Sequence, residues 1–528
     1  MVELISATHL ARSIVRQLLE LGVTDFVLSP GSRNAPLSVA LFQASEKGLL
    51  DLHVRIDERG AAFFGLGISK ASDNYVALVC TSGTAAANYH PAALEALHNN
   101  NKLIFITADR PESLRKTGAN QTTQQAALFP HVKAFDISEI MDLSKALTDG
   151  PVQLNVQFSE PLVVEDGLDW LAGFTSKTGM KTEALGESVD FGSGGVLVIG
   201  HDRAGFSVAQ VETFAQQLNW PIVAEDPLSF PSSISHAAIF LADEKIRALL
   251  HPARVVVIGR TTLSRSINSF VAGAGEVSVI DPRMAEVDSL RQADRTYLAF
   301  PQVRLGQAED PAWKQLWEKI SHLTHAAITP EISWSEQEAV RTIAASLPDG
   351  SAFFVGSSRP IRDIEAFAEP RSGVSVFANR GLAGIDGNIS TALGIATKFE
   401  RAYAVLGDLT FLHDISALVN LPEVNLTIFV LDNNGGGIFS TLPHAGTHGF
   451  ETIFGTAHNN DLARIVRGFG IPADKVKTSS DIRSIIAHQS PGVDIVVVEV
   501  PDRDSNAAKL KEINQIVSSA VRIGNNLD

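Results

Sequence analysis

The sequence predicts an α/β protein of three blocks, each built on a mainly parallel sheet with helices on both faces. Three observations lead there. The chain has 528 residues, more than one hydrophobic core serves when domains hold about 100–200 residues. Short β-branched runs alternate with helix-like segments along its whole length. Most of those runs are continuously apolar, as expected of strands covered on both sides.

In the first block Thr8–Leu21 reads as an amphipathic helix, and strands are predicted at Phe26–Ser29, His53–Ile56, Val76–Cys80, Leu103–Thr107 and Val152–Val156. From Ala172 to Gly195 the chain turns polar and rich in Gly, Ser and Thr, which predicts a linker. The second block has strands at Val196–Ile199, Pro221–Ala224, Val255–Ile258 and Val277–Ile280, with a second transition near Ala326–Ser335. Strands of the third are placed at Phe353–Val355, Val374–Phe377, Ala402–Leu406, Leu426–Leu431 and Ile495–Val500. The expected domains are 1–180, 195–330 and 340–528.

Composition narrows the function. With 45% hydrophobic and 19% charged residues the chain is globular. The net charge of −16, without a Lys/Arg block, argues against nucleic acid or an anionic membrane as partner. No apolar run is long enough to cross a bilayer, and Met1–Leu10 lacks the pattern of a secretory leader. The single cysteine, Cys80, excludes an internal disulfide framework and reads as a small buried hydrophobe in a reducing, cytoplasmic setting.

The strongest chemical signal is Gly407-Asp408-Leu409, followed 25 residues after Asp408 by Asn433-Asn434-Gly435-Gly436-Gly437. Between them lie a segment of helical spacing, Leu412–Leu421, stopped by Pro422, and the strand Leu426–Leu431. That is one βαβ unit, whose right-handed crossover makes the two strands parallel neighbours or near neighbours. Asp408 and Asn433 then meet at the carboxyl edge of the sheet, where such folds bind ligands. A carboxylate, an amide oxygen and the Gly435 carbonyl are hard donors suited to Mg²⁺, and glycines let backbone approach a diphosphate. Either half alone reads as turn punctuation at a strand end; the pair at this spacing points to a cofactor.

This arrangement resembles the thiamine diphosphate fold superfamily, whose metal motif is GD followed by about 25–30 residues and an Asn. The superfamily usually has Gly where this chain has Leu409. The resemblance implies a thiamine diphosphate-binding fold of three Rossmann-like domains and a divalent ion, Mg²⁺, for which Mn²⁺ substitutes. It implies metal ligation by Asp408, Asn433 and Gly435. Cofactor contacts are implied at Glu58, Gly384, Ile385, Asp386, Gly407, Asp408, Leu409, Asn433, Gly435, Gly436, Ile438 and Phe439. Ile385, within Asn379-Arg380-Gly381-Leu382-Ala383-Gly384-Ile385-Asp386-Gly387, is the candidate bulky side chain beneath the thiazolium; plain core packing accounts for it nearly as well.

Glu58 follows the strand His53–Ile56 and opens a run of small and aromatic residues, Arg59-Gly60-Ala61-Ala62-Phe63-Phe64-Gly65. On its own it is a carboxylate favoured by a helix dipole, worth a few tenths to ~1 kcal/mol. Beside the third-block motif, it matches the glutamate that hydrogen-bonds N1′ of the aminopyrimidine in the superfamily, where the protein supplies that carboxyl and a dry, fixed geometry. Glu58 is thus the catalytic candidate. In that superfamily the glutamate and diphosphate domains of one active site come from different subunits, which implies a homodimer or homotetramer.

Arginines in Gly/Ser loops point to the substrate. Ser29-Pro30-Gly31-Ser32-Arg33-Asn34-Ala35-Pro36-Leu37, Ala108-Asp109-Arg110-Pro111 with Gly118-Ala119-Asn120-Gln121, and Gly356-Ser357-Ser358-Arg359-Pro360-Ile361-Arg362 fall at predicted strand ends. With Arg380 and Arg265 they form an anion-binding set, since Arg pairs bidentately with carboxylates. Together with TSGTAAANYHPA, GDLTFLHD and NNGGGIFSTLP, these motifs are similar to those of the 2-succinyl-5-enolpyruvyl-6-hydroxy-3-cyclohexene-1-carboxylate synthase family of menaquinone biosynthesis. The likeness spans the first and third blocks in order and is weak in the second. Relatives often read NNN where this chain has Asp432-Asn433-Asn434.

The resemblance implies decarboxylation of 2-oxoglutarate and 1,4-addition of the succinyl unit to isochorismate. It implies substrate contacts at Ser32, Arg33, Arg110, Asn120, Gln121, Arg265, Ser358, Arg362, Arg380, Phe439 and Leu442. Two other readings stay open: a decarboxylase or acetolactate-synthase-like enzyme using the same cofactor on pyruvate, and a non-catalytic diphosphate-binding protein. The arginine set disfavours the first, because pyruvate has one carboxylate. In the second block Gly192-Ser193-Gly194-Gly195 precedes a strand instead of following one, so it is no phosphate-binding fingerprint.

Overall fold

The computed structural model describes residues 5–147, 150–174, 188–283, 293–304, 310–329 and 332–527. Most of the predicted linker, residues 175–187, lies outside these. The chain divides into two compact units.

The first unit comprises Met1–Thr182, Gly381–Glu400 and His413–Val424. Its sheet contains β1 (Asp25–Leu28), β2 (Asp51–Val54), β3 (Val76–Cys80), β4 (Leu103–Asp109), β5 (Lys133–Ile137) and β6 (Val152–Gln157), in the order β2-β1-β3-β4-β6-β5. All pairings are parallel. The inner strands β1, β3 and β4 are buried throughout, whereas the edge strands β2 and β5 are partly exposed. Cys80 ends β3 fully buried, and burial pushes its thiol pKa up, away from thiolate chemistry. The Ala7–Glu20 helix is capped by Ser6 Oγ, which accepts from His9 N, and buries Leu10, Ile14 and Leu18 in the unit's core.

The second unit comprises Glu183–Arg380, Arg401–Leu412 and Asn425–Asp528. A two-stranded pair, β7 (Ser188–Val189) with β13 (Gln302–Val303), accompanies a five-stranded sheet. That sheet holds β8 (Gly195–Ile199), β9 (Ile222–Ala224), β10 (Arg254–Ile258), β11 (Glu276–Ile280) and β12 (Arg295–Tyr297), in the order β12-β11-β10-β8-β9. A six-stranded sheet follows: β14 (Ala352–Val355), β15 (Ser375–Phe377), β16 (Ala402–Gly407), β17 (Leu426–Asp432), β18 (Ala473–Val476) and β19 (Val493–Glu499), ordered β15-β14-β16-β17-β19-β18. These pairings are parallel too. No helix among the described residues is long and apolar enough to cross a membrane.

Two predictions need correction, the first being the strand expected at His53–Ile56, which lies two residues earlier as β2. The segment Leu412–Leu421 is not a single helix: a helix runs over Asp408–His413 and a 3₁₀ turn over Ile415–Leu418. The break falls at Asp414, whose buried carboxylate accepts from Ser390 N at 2.8 Å and lies 3.5 Å from Arg59 Nη2.

Candidate active site

In the second unit, β16 and β17 are adjacent, with Gly407 opposite Leu431. Asp408 therefore leaves the sheet beside the loop that follows Asp432. Asp408 is 2% exposed. Oδ1 accepts from Leu409 N at 2.6 Å and Oδ2 from Gly435 N at 2.8 Å. Nε2 of His458 stands 3.2 Å from Asp408 Oδ2, and this contact is the main cause of a raised His458 pKa.

The Asn433 amide is oriented from elsewhere. Its Nδ2 donates to Glu336 Oε1, while its Oδ1 is buried without a hydrogen-bond partner among the described residues. Glu336 is itself buried, and burial followed by the charge of Asp363 raises its pKa. Gly435 has φ 145, and a Cβ there would lie 2.2 Å from the Gly455 carbonyl oxygen, so only glycine fits. The neighbouring Gly436 N donates to that same oxygen at 2.8 Å, and Arg503 Nη1 donates to it at 3.1 Å. A buried carboxylate, an orphaned amide oxygen and a backbone loop without side chains form a donor set that fits a hard divalent cation with a diphosphate. Phe439 and Leu442 are half-buried just beyond, with the Phe439 ring 5.4 Å from that of Phe454.

In the first unit, Glu58 is the first residue of the Glu58–Ser72 helix. Asp57 caps it, with Oδ1 accepting from Arg59 N at 3.1 Å and Gly60 N at 3.4 Å. Glu58 is half-buried, and its carboxylate has no hydrogen-bond or ion-pair partner among the described residues. The same unit holds Gly384, Ile385 and Asp386, all half-buried, in a turn tied down where Gly381 N and Leu382 N each donate to buried Glu95 at 2.7 Å.

The first-unit arginines gather at the ends of β1, β3 and β4. Arg110 Nη1 donates to Ser82 Oγ at 2.8 Å and to the Gln121 carbonyl at 2.7 Å. Arg33 Nη1 reaches the Phe158 carbonyl and Glu160 Oε1, both at 3.1 Å, and its buried Nε has no partner among the described residues. Burial and then the adjacent Arg33 charge depress the Arg110 pKa, the mark of two cations held close together. Ser32, Asn120 and Gln121 are exposed beside them.

In the second unit, Arg362 donates to the Ser358 carbonyl, and Ser358 sits at φ 76. Burial, then Arg359 and Arg380, lower the Arg362 pKa, so three guanidinium groups lie near one another. Arg380 is not free: it pairs bidentately with buried Glu225, the closest contact being 2.8 Å. Arg265 starts the Arg265–Ala272 helix on the surface, and the structure gives it no contact with the others. Glu336, His458 and Glu225 escaped the sequence reading, because nothing in their local spacing marks them.

Comparison with known proteins defines the class first. Residues 8–128 match the thiamine pyrophosphate enzyme N-terminal TPP binding domain, 170–355 the middle domain of thiamine pyrophosphate, and 362–500 the C-terminal TPP binding domain. The class is that of the thiamine pyrophosphate enzymes. Among relatives, a Thermobifida fusca protein is 35% identical, covering 98% of this chain and all of its own length. A Nocardioides protein is 39% identical over 96% of this chain and 97% of its own, and one from Geobacillus kaustophilus 35% identical over 87% and 89%. All three are named 2-succinyl-5-enolpyruvyl-6-hydroxy-3-cyclohexene-1-carboxylate synthase, and the chain belongs to that family.

Proposed function

We propose that the protein decarboxylates 2-oxoglutarate and adds the succinyl unit in 1,4 fashion to isochorismate, giving 2-succinyl-5-enolpyruvyl-6-hydroxy-3-cyclohexene-1-carboxylate for menaquinone biosynthesis. The observation that carries the reading is the orphaned, buried Asn433 Oδ1 beside Asp408 and the Gly435 loop. Family membership over nearly the full chain supports the substrates. Bound thiamine diphosphate supplies the nucleophilic carbon and the electron sink. Asp408, Asn433 Oδ1 and the Gly435 carbonyl hold Mg²⁺, or Mn²⁺ in its place, with the diphosphate. Glu58 holds the proton at N1′ of the aminopyrimidine, a role that its uncommitted carboxylate supports. Arg33 and Arg110, with Ser32, Asn120 and Gln121, bind carboxylates, as do Arg362 with Ser358, while Phe439 and Leu442 supply an apolar wall. Arg265 and Arg380 belong to the same substrate-binding reading, Arg380 through its pair with Glu225.

The protein acts in the cytoplasm as a homo-oligomer, a dimer with shared active sites or a tetramer, and the three domains are 1–180, 195–330 and 340–528. The test is 2-oxoglutarate consumption with thiamine diphosphate and Mg²⁺, with and without isochorismate. Sustained turnover only with isochorismate is expected. Equal turnover without it would assign a plain decarboxylase instead, and none in either case would refute the activity.

A further inference from the structure

Away from the glycine loop, three side chains of the second unit converge on one point. His236 precedes the short helix Ala237–Phe240, His325 lies in the last turn of the Pro311–Ile328 helix, and Glu369 follows the Arg359–Phe367 helix. Glu369 Oε1 is 2.8 Å from His236 Nε2 and 2.7 Å from His325 Nδ1, and the two nitrogens are 3.4 Å apart. The rings stack with centroids 5.6 Å apart. His236 is 1% exposed, while the His325 and Glu369 side chains are 45% and 42% exposed, so the point opens to solvent on one side.

The protonation pattern is constrained. His236 Nδ1 lies 2.8 Å from the Ala366 carbonyl oxygen, which only accepts, so Nδ1 carries the proton. A neutral ring then presents a lone pair at Nε2, directed at a carboxylate oxygen. Two acceptors at that distance require a cation between them. A second proton on His236, with His325 as its Nδ1–H tautomer, would satisfy both carboxylate contacts; a metal ion in their place would take all three atoms as ligands.

We propose that His236 Nε2, His325 Nδ1 and Glu369 form a site for a divalent transition metal of the Zn²⁺ class, completed by water from the open side. Imidazole nitrogens and a carboxylate are the donors this ion takes, and an Nδ1–H···O=C bond is the usual outer-shell support of a ligating histidine. Tetrahedral bonds of about 2.0–2.1 Å place donors roughly 3.3 Å apart. The histidine pair already has that spacing; Glu369, half-exposed, retreats by about half an ångström. The ion would tie the ends of two helices to the turn before a third, a structural clip distinct from the Asp408 loop.

The experiment is calorimetric titration of Zn²⁺ into chelator-treated full-length protein under saturating Mg²⁺, paired with thermal unfolding. Wild type is expected to bind one more equivalent per chain than His325→Ala or Glu369→Gln, with a rise in Tm of several degrees that both variants lose. His325→Ala removes only a half-exposed ring, and circular dichroism on the variant checks that it folds. Equal stoichiometry in wild type and variants, or no Zn²⁺-dependent rise in Tm, would overturn the site and leave a proton-bridged histidine–carboxylate cluster.

Discussion

Two helices of the first unit, Glu58–Ser72 and Asn388–Ala396, touch through their backbones at two glycines. A Cβ on Gly67 would lie 2.1 Å from the Thr391 carbonyl oxygen, and one on Gly394 2.0 Å from that of Phe64. A relaxed C···O contact is about 3.3 Å or longer. Gly67→Ala or Gly394→Ala must therefore push the helices apart by roughly 1 Å, because main-chain oxygens cannot swing aside. Overpacking of this kind costs typically about 1–3 kcal/mol, offset by the ~0.8–1.0 kcal/mol by which Ala outranks Gly inside a helix. Those terms leave a net loss of roughly 0–2 kcal/mol for each variant, and the approach of 2.0–2.1 Å to rigid main-chain oxygens places it toward the upper end. Both alanines demand the same separation, so the double variant should lose less than the sum. Because Glu58 opens one of these helices, its displacement should also lower kcat beyond any unfolded fraction; a misplacement of about 1 Å can cost ~10²-fold. Urea titrations followed by circular dichroism, with turnover on the same samples, test this. A variant with the wild-type midpoint, or strict additivity in the double variant, would refute the backbone-contact argument.

Glu58→Gln should lower kcat by about 10²–10⁴-fold while cofactor affinity, read by calorimetry, changes little; near-wild-type turnover would remove Glu58 from the chemistry. Asp408→Ala should abolish Mg²⁺-dependent binding of thiamine diphosphate, and a variant that still binds it tightly with Mg²⁺ would sink the metal assignment. Burial holds the Asp414 carboxyl at a pKa of about 6, against an ordinary 3.8. The folded state thus keeps its proton more tightly than the unfolded one, and stability is lost as pH rises from about 4 to about 6, by ~3 kcal/mol in all. Asp414→Asn should remove that loss, so its stability relative to wild type should improve by this order between pH 4 and pH 7; a pH-independent difference would contradict the shift.

The sequence made most of the fold legible because central parallel strands are built largely of apolar residues. Val76–Cys80 is buried at every position and was readable to the residue. Lys133–Ile137 and Ala473–Val476 were missed for the converse reason: they are edge strands whose exposed positions carry Lys and Asp. The break at Asp414 coincides with contacts to Ser390 and Arg59, 24 and 355 residues away, which local spacing does not show.

The same distinction divides the site. Asp408 and Asn433 belong to one βαβ unit, so their spacing alone brings them to neighbouring strand ends. What spacing cannot decide is which end of the Asn433 amide faces a ligand. That choice is made by Glu336, 97 residues earlier, which accepts from Nδ2 and leaves Oδ1 without a partner among the described residues. By taking the Nδ2 proton, Glu336 holds the amide in the orientation that offers its oxygen to a cation. The ligand pair is thus a local property of the chain, and the polarity that makes it useful comes from a long-range contact.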